Sequence, residues 1–346
     1  MSNYRNYKKI KGVLKLKLSV EAEKWLLDAK KSGGTASFDD ADLKLTQILQ
    51  NWREADNLDI GILGIPFDTS VFFRTGCRYG PDVIRDTMSM YANSYEPGYG
   101  VNIKDINIAD FGNVNVHHQD VLETHRRVEN IVTDIIGNGT VPLILGGDHG
   151  LTYPNVKALM NNTKGKVGVI MLDGHLDVRK TQDGVISSGT PFRRLIEEPE
   201  RNPLDPKNFV EIGINGWLSS KDYGDYCKEK GITIIPAREV HERGYKDVIK
   251  QALEIAGNGT DAIWLSVDID GLDSSVAPGT CAPNPGGLTA HEALEIVWTV
   301  ANHPKCAGMD LLEVAPPLDF NNITSIVATY LCMQFIGGIK NQKYGK

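Results

Sequence analysis

The stretch KVGVIMLDGHLDVR, residues 166 to 179, decides how the chain is read. A run of apolar residues ends in Asp173, His175 and Asp177, three ligand-type side chains at alternate positions. On an extended strand, residues two apart face the same side. The alternation therefore predicts a buried strand whose end gathers two carboxylates and an imidazole at one spot.

Seven further apolar, β-branched runs share its character: residues 58–66, 106–114, 141–147, 209–216, 232–239, 262–270 and 307–316. Amphipathic segments separate them. DVLETHRRVENIVTDIIGNG repeats apolar residues at Val121, Leu122, Val128, Ile131, Val132, Ile135 and Ile136, a helical spacing that stops at Gly137. The tetrapeptide GNGT closes that segment and recurs at 257–260, with glycine expected as the helix C-cap. Buried strands alternating with helices predict an α/β fold, a single three-layer αβα domain around an eight-stranded, mostly parallel sheet. Residues 1–55 read as an N-terminal extension and 56–346 as the domain; within the extension, SVEAEKWLLDAKKS reads as helical and GGTASFDDAD as a loop.

With 346 residues, 41% hydrophobic and 23% charged, the chain can bury a large core. Its net charge of −7 gives no electrostatic reason to bind nucleic acid. The N-terminal twenty residues carry six basic side chains and no acid, yet lack the apolar core of a signal peptide. No run approaches the roughly 20 apolar residues of a membrane span, so no membrane partner is expected. The five cysteines are scattered and without a CxxC pair, which fits a reducing cytoplasm better than a disulfide framework.

In open parallel sheets ligands gather at the carboxyl ends of strands. Four runs end in chemistry: Asp148 and His149 after LILGG; Asp173, His175 and Asp177; Asp268, Asp270 and Asp273 after WLSV; and Glu313 after MDLL. A single aspartate after a strand is usually a cap or a turn. Two D-x-[HD] patterns on apolar strands, with a histidine on a third, point instead to a metal site. Two imidazoles and four carboxylates without a thiolate suit hard or borderline ions. Six such ligands exceed the needs of one ion and match two ions that share carboxylates and activate a water.

These segments resemble the arginase and agmatinase family of ureohydrolases. GGDHG (146–150), DGHLD (173–177) and SVDIDGLDSSVAPGTCAPNPGG (266–287) resemble its three metal motifs in order and spacing. GIPFDTSVFFRTGCRYGPDVIR (64–85) and LLEVAPPLD (311–319) resemble its early and late core segments, so the likeness covers about residues 58 to 340. The resemblance implies that His149, Asp173, Asp177 and Asp268 hold one ion and His175, Asp173, Asp268 and Asp270 the other, Asp173 and Asp268 bridging. It implies manganese or nickel, and an oligomer, trimer or hexamer, in which a homologous second subunit can take part. Glu313 matches the carboxylate that grips the substrate guanidinium, a role suited to a bidentate acceptor. Attack by metal-bound hydroxide would break the C–N bond, and Asp177 is placed to carry the proton to the leaving amine.

Three positions depart from the family pattern: Gly174 where alanine is usual, Ser274 where proline follows Asp273, and Ser188 where histidine precedes Gly-Thr-Pro-Phe. A serine hydroxyl does not titrate near neutrality, so the histidine's role is lost or moved. Together with Arg179 and Lys180, which disfavour a dication such as agmatine, Ser188 predicts a pocket for another guanidino compound. Guanidine, an alkylguanidine or a biguanide such as metformin is the first expectation, with release of urea or a urea derivative. An agmatinase or a guanidino-acid hydrolase, with Arg179 or Lys180 pairing the acid's carboxylate, is the second; a catalytically silent partner subunit is the third.

Overall fold

The structure, a computed structural model, describes residues 18–27, 41–181 and 184–345. Its strands in chain order are β1 (Leu26–Leu27), β2 (Ile60–Gly64), β3 (Tyr95–Glu96), β4 (Val101–Asn102), β5 (Ile108–Val114), β6 (Val141–Leu145), β7 (Lys166–Leu172), β8 (Phe209–Ile214), β9 (Thr233–Pro236), β10 (Thr260–Asp268) and β11 (Cys306–Leu312). All eight predicted runs enter one sheet of order β1-β5-β2-β6-β11-β10-β7-β8-β9, while β3 and β4 form a separate hairpin. Every pairing in the sheet is parallel except β1 with β5 at the edge.

The ninth strand corrects the reading of the extension. Residues 19–32 were expected to be helical, but the helix covers only Val20–Glu23, and Leu26–Leu27 then pairs with Asn113 and Val114. Burial of Leu18, Ala22 and Trp25 against the domain core overrides local helical preference there. Residues 28–32, and most of the loop expected at 33–42, lie outside the described residues.

The parallel strands are continuous apolar runs because both faces of the sheet are covered. In β7, Ile170 and Leu172 join the core beneath helices Gly80–Tyr91, Tyr245–Ala256, Ala290–Ala301 and Ile323–Tyr344, whereas Val169 and Met171 join the opposite core beneath Val121–Gly137 and Thr152–Asn162. Each such fully buried side chain contributes about 1.5–3 kcal/mol. The helix Ile323–Tyr344 has the length and hydropathy to cross a membrane, yet 67% of its most apolar window is buried inside the domain. It is the core helix against which Ala290–Ala301 packs.

Helix Val121–Gly137 begins where expected, with the Asp120 carboxylate accepting the Glu123 N–H. Its end differs in detail. Gly137 is still helical, and the left-handed residue is the second glycine of GNGT, Gly139 (φ 80°), as Gly259 (φ 67°) is in the other copy. A side chain at φ > 0 costs strain that glycine avoids.

One buried histidine on this helix sets an acid limit. Arg194 Nη1 lies 3.3 Å from His125 Nδ1 and donates to it, which leaves the ring neutral with its Nε2 unpartnered. Burial, and then the Arg194 charge, pushes its pKa down to about 3. Between the ordinary value of about 6.5 and that value the unfolded chain takes up a proton that the folded chain refuses. Stability should therefore fall with pH across that window by up to about 1.4 kcal/mol per unit. In His125→Gln the acid limb of a denaturation-against-pH profile should be shallower; an unchanged slope would exclude His125 as its source.

The chain leaves β6 through helix Thr152–Asn162 and returns in β7, three places along the sheet, with β11 and β10 later filling the gap. This places the carboxyl ends of β6, β11, β10 and β7 side by side. Ligands of open α/β sheets sit in such a crevice.

Candidate metal centre

Each of those four strand ends delivers the residues expected of it. His149 follows β6, Asp173 follows β7, Asp268 ends β10 and Glu313 follows β11. The reason for convergence at DGHLD differs from the strand alternation. β7 stops at Leu172, and Asp173 to Asp177 lie on a loop pinned by Asp173 N–H to Ile212 O (3.1 Å) and by Arg179 N–H to Gly189 O (2.8 Å). Asp177 turns back toward Asp173 through a left-handed backbone, φ 46°.

The loop builds two clusters around one carboxylate. His149 Nδ1 lies 3.0 Å from Asp173 Oδ2, 2.9 Å from Asp177 Oδ2 and 3.2 Å from Asp268 Oδ2. His175 Nδ1 lies 3.3 Å from the other Asp173 oxygen, Oδ1, and 3.2 Å from Asp270 Oδ2. Asp173 thus divides its two oxygens between the clusters. Asp268 Oδ1 accepts the Asp270 N–H at 2.9 Å, which ties together the carboxylates contributed by β10 and the short turn after it.

Whether this geometry fits metal ions is tested by its unsatisfied atoms. His149 Nε2 pairs with Ser266 Oγ at 3.0 Å. Nδ1 is the nitrogen left over, and both it and Asp173 Oδ2 are buried without a well-formed hydrogen bond. Burial, then repulsion from Asp177 and Asp270, pushes the Asp173 carboxyl up to about 6. Burial, then Asp270 and Asp173, holds Asp268 well above the usual carboxylate range. Close, buried carboxylates that cannot all ionise alone, gathered around an imidazole nitrogen, are suited to divalent cations. The residues fit two such ions.

A cavity of about 60 Å³ opens over the clusters, and Asp177, Arg179, Ser188 and Glu313 help to line it. Glu313 Oε1 accepts the His149 N–H at 2.9 Å, while its buried Oε2 has no hydrogen-bond partner. Lys180 is exposed and is not part of the lining, so only Arg179 of the two expected cations faces the cavity. The Arg179 guanidinium lies 4.6 Å from the Phe72 ring centre and 5.3 Å from that of Tyr223. No carboxylate among the described residues is within ion-pair distance of it.

Two aspartates at strand ends do other work. The Asp148 carboxylate accepts from Ser70 Oγ (2.7 Å) and Gly150 N–H (3.1 Å), and Asp273 holds its loop through Ser275 N–H at 2.9 Å and Gly286 N–H. Sequence reasoning did not single out Ser266, Asn284, Phe72 or Tyr223. Ser266 stands two positions before Asp268 on β10, so the same period that marked the aspartates pointed to it. Gly174 gains a physical reason: a Cβ there would come within 2.4 Å of Asn284 Nδ2, which lies 3.3 Å from His175 Nε2. The missing methyl gives the Asn284 amide room to approach that ring.

The chain belongs to the arginase family, whose model matches residues 58–337, and it is accordingly a metal-dependent hydrolase of amidino C–N bonds. It is 33% identical over 308 residues to the formimidoylglutamase of Bacillus subtilis, covering 88% of this chain and 95% of that one. It is 34% identical over 290 residues to the guanidinobutyrase of Pseudomonas aeruginosa, covering 83% and 88%. The crystal structure of Trypanosoma cruzi formiminoglutamase with Mn2+2 superposes with a TM-score of 0.79 at 29% identity, covering 86% of this chain and 98% of that one.

Proposed function

We propose that this chain hydrolyses the amidino C–N bond of a small substrate that also carries a carboxylate, either formimidoylglutamate or a guanidino acid. The observation that carries this reading is Arg179, whose guanidinium lies against Phe72 and Tyr223 on the cavity wall with no carboxylate of the described residues within ion-pair distance. Such a fork pairs bidentately with a carboxylate and repels a second cation. Guanidine, alkylguanidines and metformin, the first expectation from the sequence, offer Arg179 no partner, and agmatine offers it a repelling one. Names among the relatives agree, since formimidoylglutamate and guanidinobutyrate both carry carboxylates.

His149, Asp173, Asp177 and Asp268 would hold one divalent ion and Asp173, His175, Asp268 and Asp270 the other, with Mn2+ preferred on the precedent of the Trypanosoma cruzi enzyme. Bound there, such a pair supplies Lewis acidity and brings the pKa of water toward neutrality. Glu313 grips the amidinium through Oε2, its other oxygen being fixed by the His149 N–H. Asp177 accepts the proton of the attacking water and returns it to the departing nitrogen, so that amine and formamide, or amine and urea, leave with the proton count balanced. Ser188 offers a hydroxyl to the substrate where a titrating histidine would otherwise stand.

A panel of formimidoylglutamate, 4-guanidinobutyrate, 3-guanidinopropionate, agmatine, arginine, guanidine and metformin tests this on the Mn2+-loaded chain. One of the three carboxylate substrates without a second cation should exceed guanidine, metformin and agmatine in kcat/KM by about 10²-fold, the discrimination a dedicated charged contact can supply. Metformin or guanidine turning over fastest would overturn the reading.

A further inference from the structure

Outside the His and Asp clusters, one group of metal-ligating side chains among the described residues is brought together from three distant segments. Cys77 opens the short turn Cys77–Tyr79, and Cys281 lies in the loop that follows Gly279. Both are buried, free thiols, and their sulfurs are 3.8 Å apart. These sulfurs and a carboxylate oxygen of Glu313 all lie within 4.8 Å of one another. Glu313 is only 4% exposed, and its Oε2 is the oxygen without a hydrogen-bond partner.

The 3.8 Å separation is that of Cys281 S–H donating to Cys77 Sγ, and it is also a spacing that a shared metal could use. A disulfide needs about 2.05 Å between them. Two thiolates on one tetrahedral zinc, each with a Zn–S bond of about 2.3 Å, stand roughly 3.8 Å apart. Cys281 and Glu313 also line the cavity above the clusters, which gives an ion a route to them.

We propose that Cys77, Cys281 and Glu313 form a separate site for a thiophilic divalent cation, Zn2+ or Cd2+, and that filling it inhibits the enzyme by drawing Glu313 away from the substrate. The inhibitory step rests on the role given to Glu313 above; the binding step does not. Binding exchanges two thiol protons for the cation, with no change of oxidation state. Manganese, a harder ion, prefers the carboxylate and imidazole clusters, so the two sites sort cations by ligand softness.

The test adds Cd2+, and separately Co2+, to the Mn2+-loaded full-length chain and follows thiolate-to-metal charge-transfer absorption beside turnover. The His and Asp clusters hold no sulfur, so exchange of ions there is silent in that band. One equivalent should produce the band and lower turnover about 10–100-fold, the value of one charge-assisted grip. Cys281→Ser should abolish both effects. Cys77→Ala and Cys77→Ser should do the same while keeping basal turnover and Mn2+ content. Absence of the band, or a band that survives these substitutions, overturns the site. A band without loss of turnover keeps the site and overturns the grip of Glu313 on the substrate.

Discussion

Asp177→Asn should fold, bind Mn2+ and turn over about 10²–10⁴-fold more slowly than the parent chain, the range a positioned proton carrier contributes. The substitution is unusually clean. Asp177 sits at φ 46°, and asparagine enters the left-handed region at least as readily as aspartate, so the loop is not strained by the change. The amide oxygen still faces His149 where Asp177 Oδ2 stands at 2.9 Å, but it no longer accepts and returns a proton. Loss of kcat with Mn2+ stoichiometry intact is the expected result, read from metal analysis beside single-turnover rates. Parent rates in this variant would remove Asp177 from the chemistry, and loss of metal with loss of turnover would make it a ligand only.

The backbone itself marks the other acid of the cavity, Glu313. Among the described residues five non-glycines have positive φ: Asn202, Asn321, Asn322 and Asp177 (46°), whose types tolerate it, and Glu313, at 63°, whose type does so far less. Glu313 is held there by its N–H donating to Gly147 O at 2.8 Å and by its side chain accepting the His149 N–H. Backbone strain at a buried acid persists only where the surroundings enforce it, and such positions cluster at functional sites.

Much of this was legible in the chain because buried parallel strands advertise themselves as continuous apolar runs, and because ligands follow where those runs stop. The two-residue β1 was not, since two leucines show no period and only the edge of β5 makes them a strand. The structure does bring Asp173, His175 and Asp177 to the clusters, but by a cause other than the one expected. A pleat would have aligned Asp173, His175 and Asp177, but the strand has already ended, and a loop turning through Asp177 divides them between two clusters. Nothing local distinguishes those cases, since both need a polar residue at every second position. Phe72 and Tyr223 were invisible for a different reason: they meet Arg179 from segments more than 40 residues away on either side, and only packing joins them.

Arg179→Met should separate the substrates. Loss of a bidentate, charge-assisted contact removes about 1.5–3 kcal/mol per hydrogen bond. We therefore expect kcat/KM for the preferred carboxylate substrate to fall about 10²-fold or more, chiefly through KM, because the contact is made equally in the ground and transition states. Guanidine has no carboxylate to lose and should keep its rate. Methionine retains an apolar stem beside Gly189, where Arg179 Cδ would stand 2.7 Å from a Cβ, so packing between the two loops is largely preserved. Arg179→Lys is not the milder change it resembles on paper. It keeps the charge but loses the planar fork and the stacking on Phe72 and Tyr223, so it should restore only part of the affinity. An equal fall for guanidine and for the acids would show that Arg179 shapes the metal loop instead of reading the substrate, and a carboxylate substrate indifferent to both variants would return the pocket to the small guanidines first expected from Ser188.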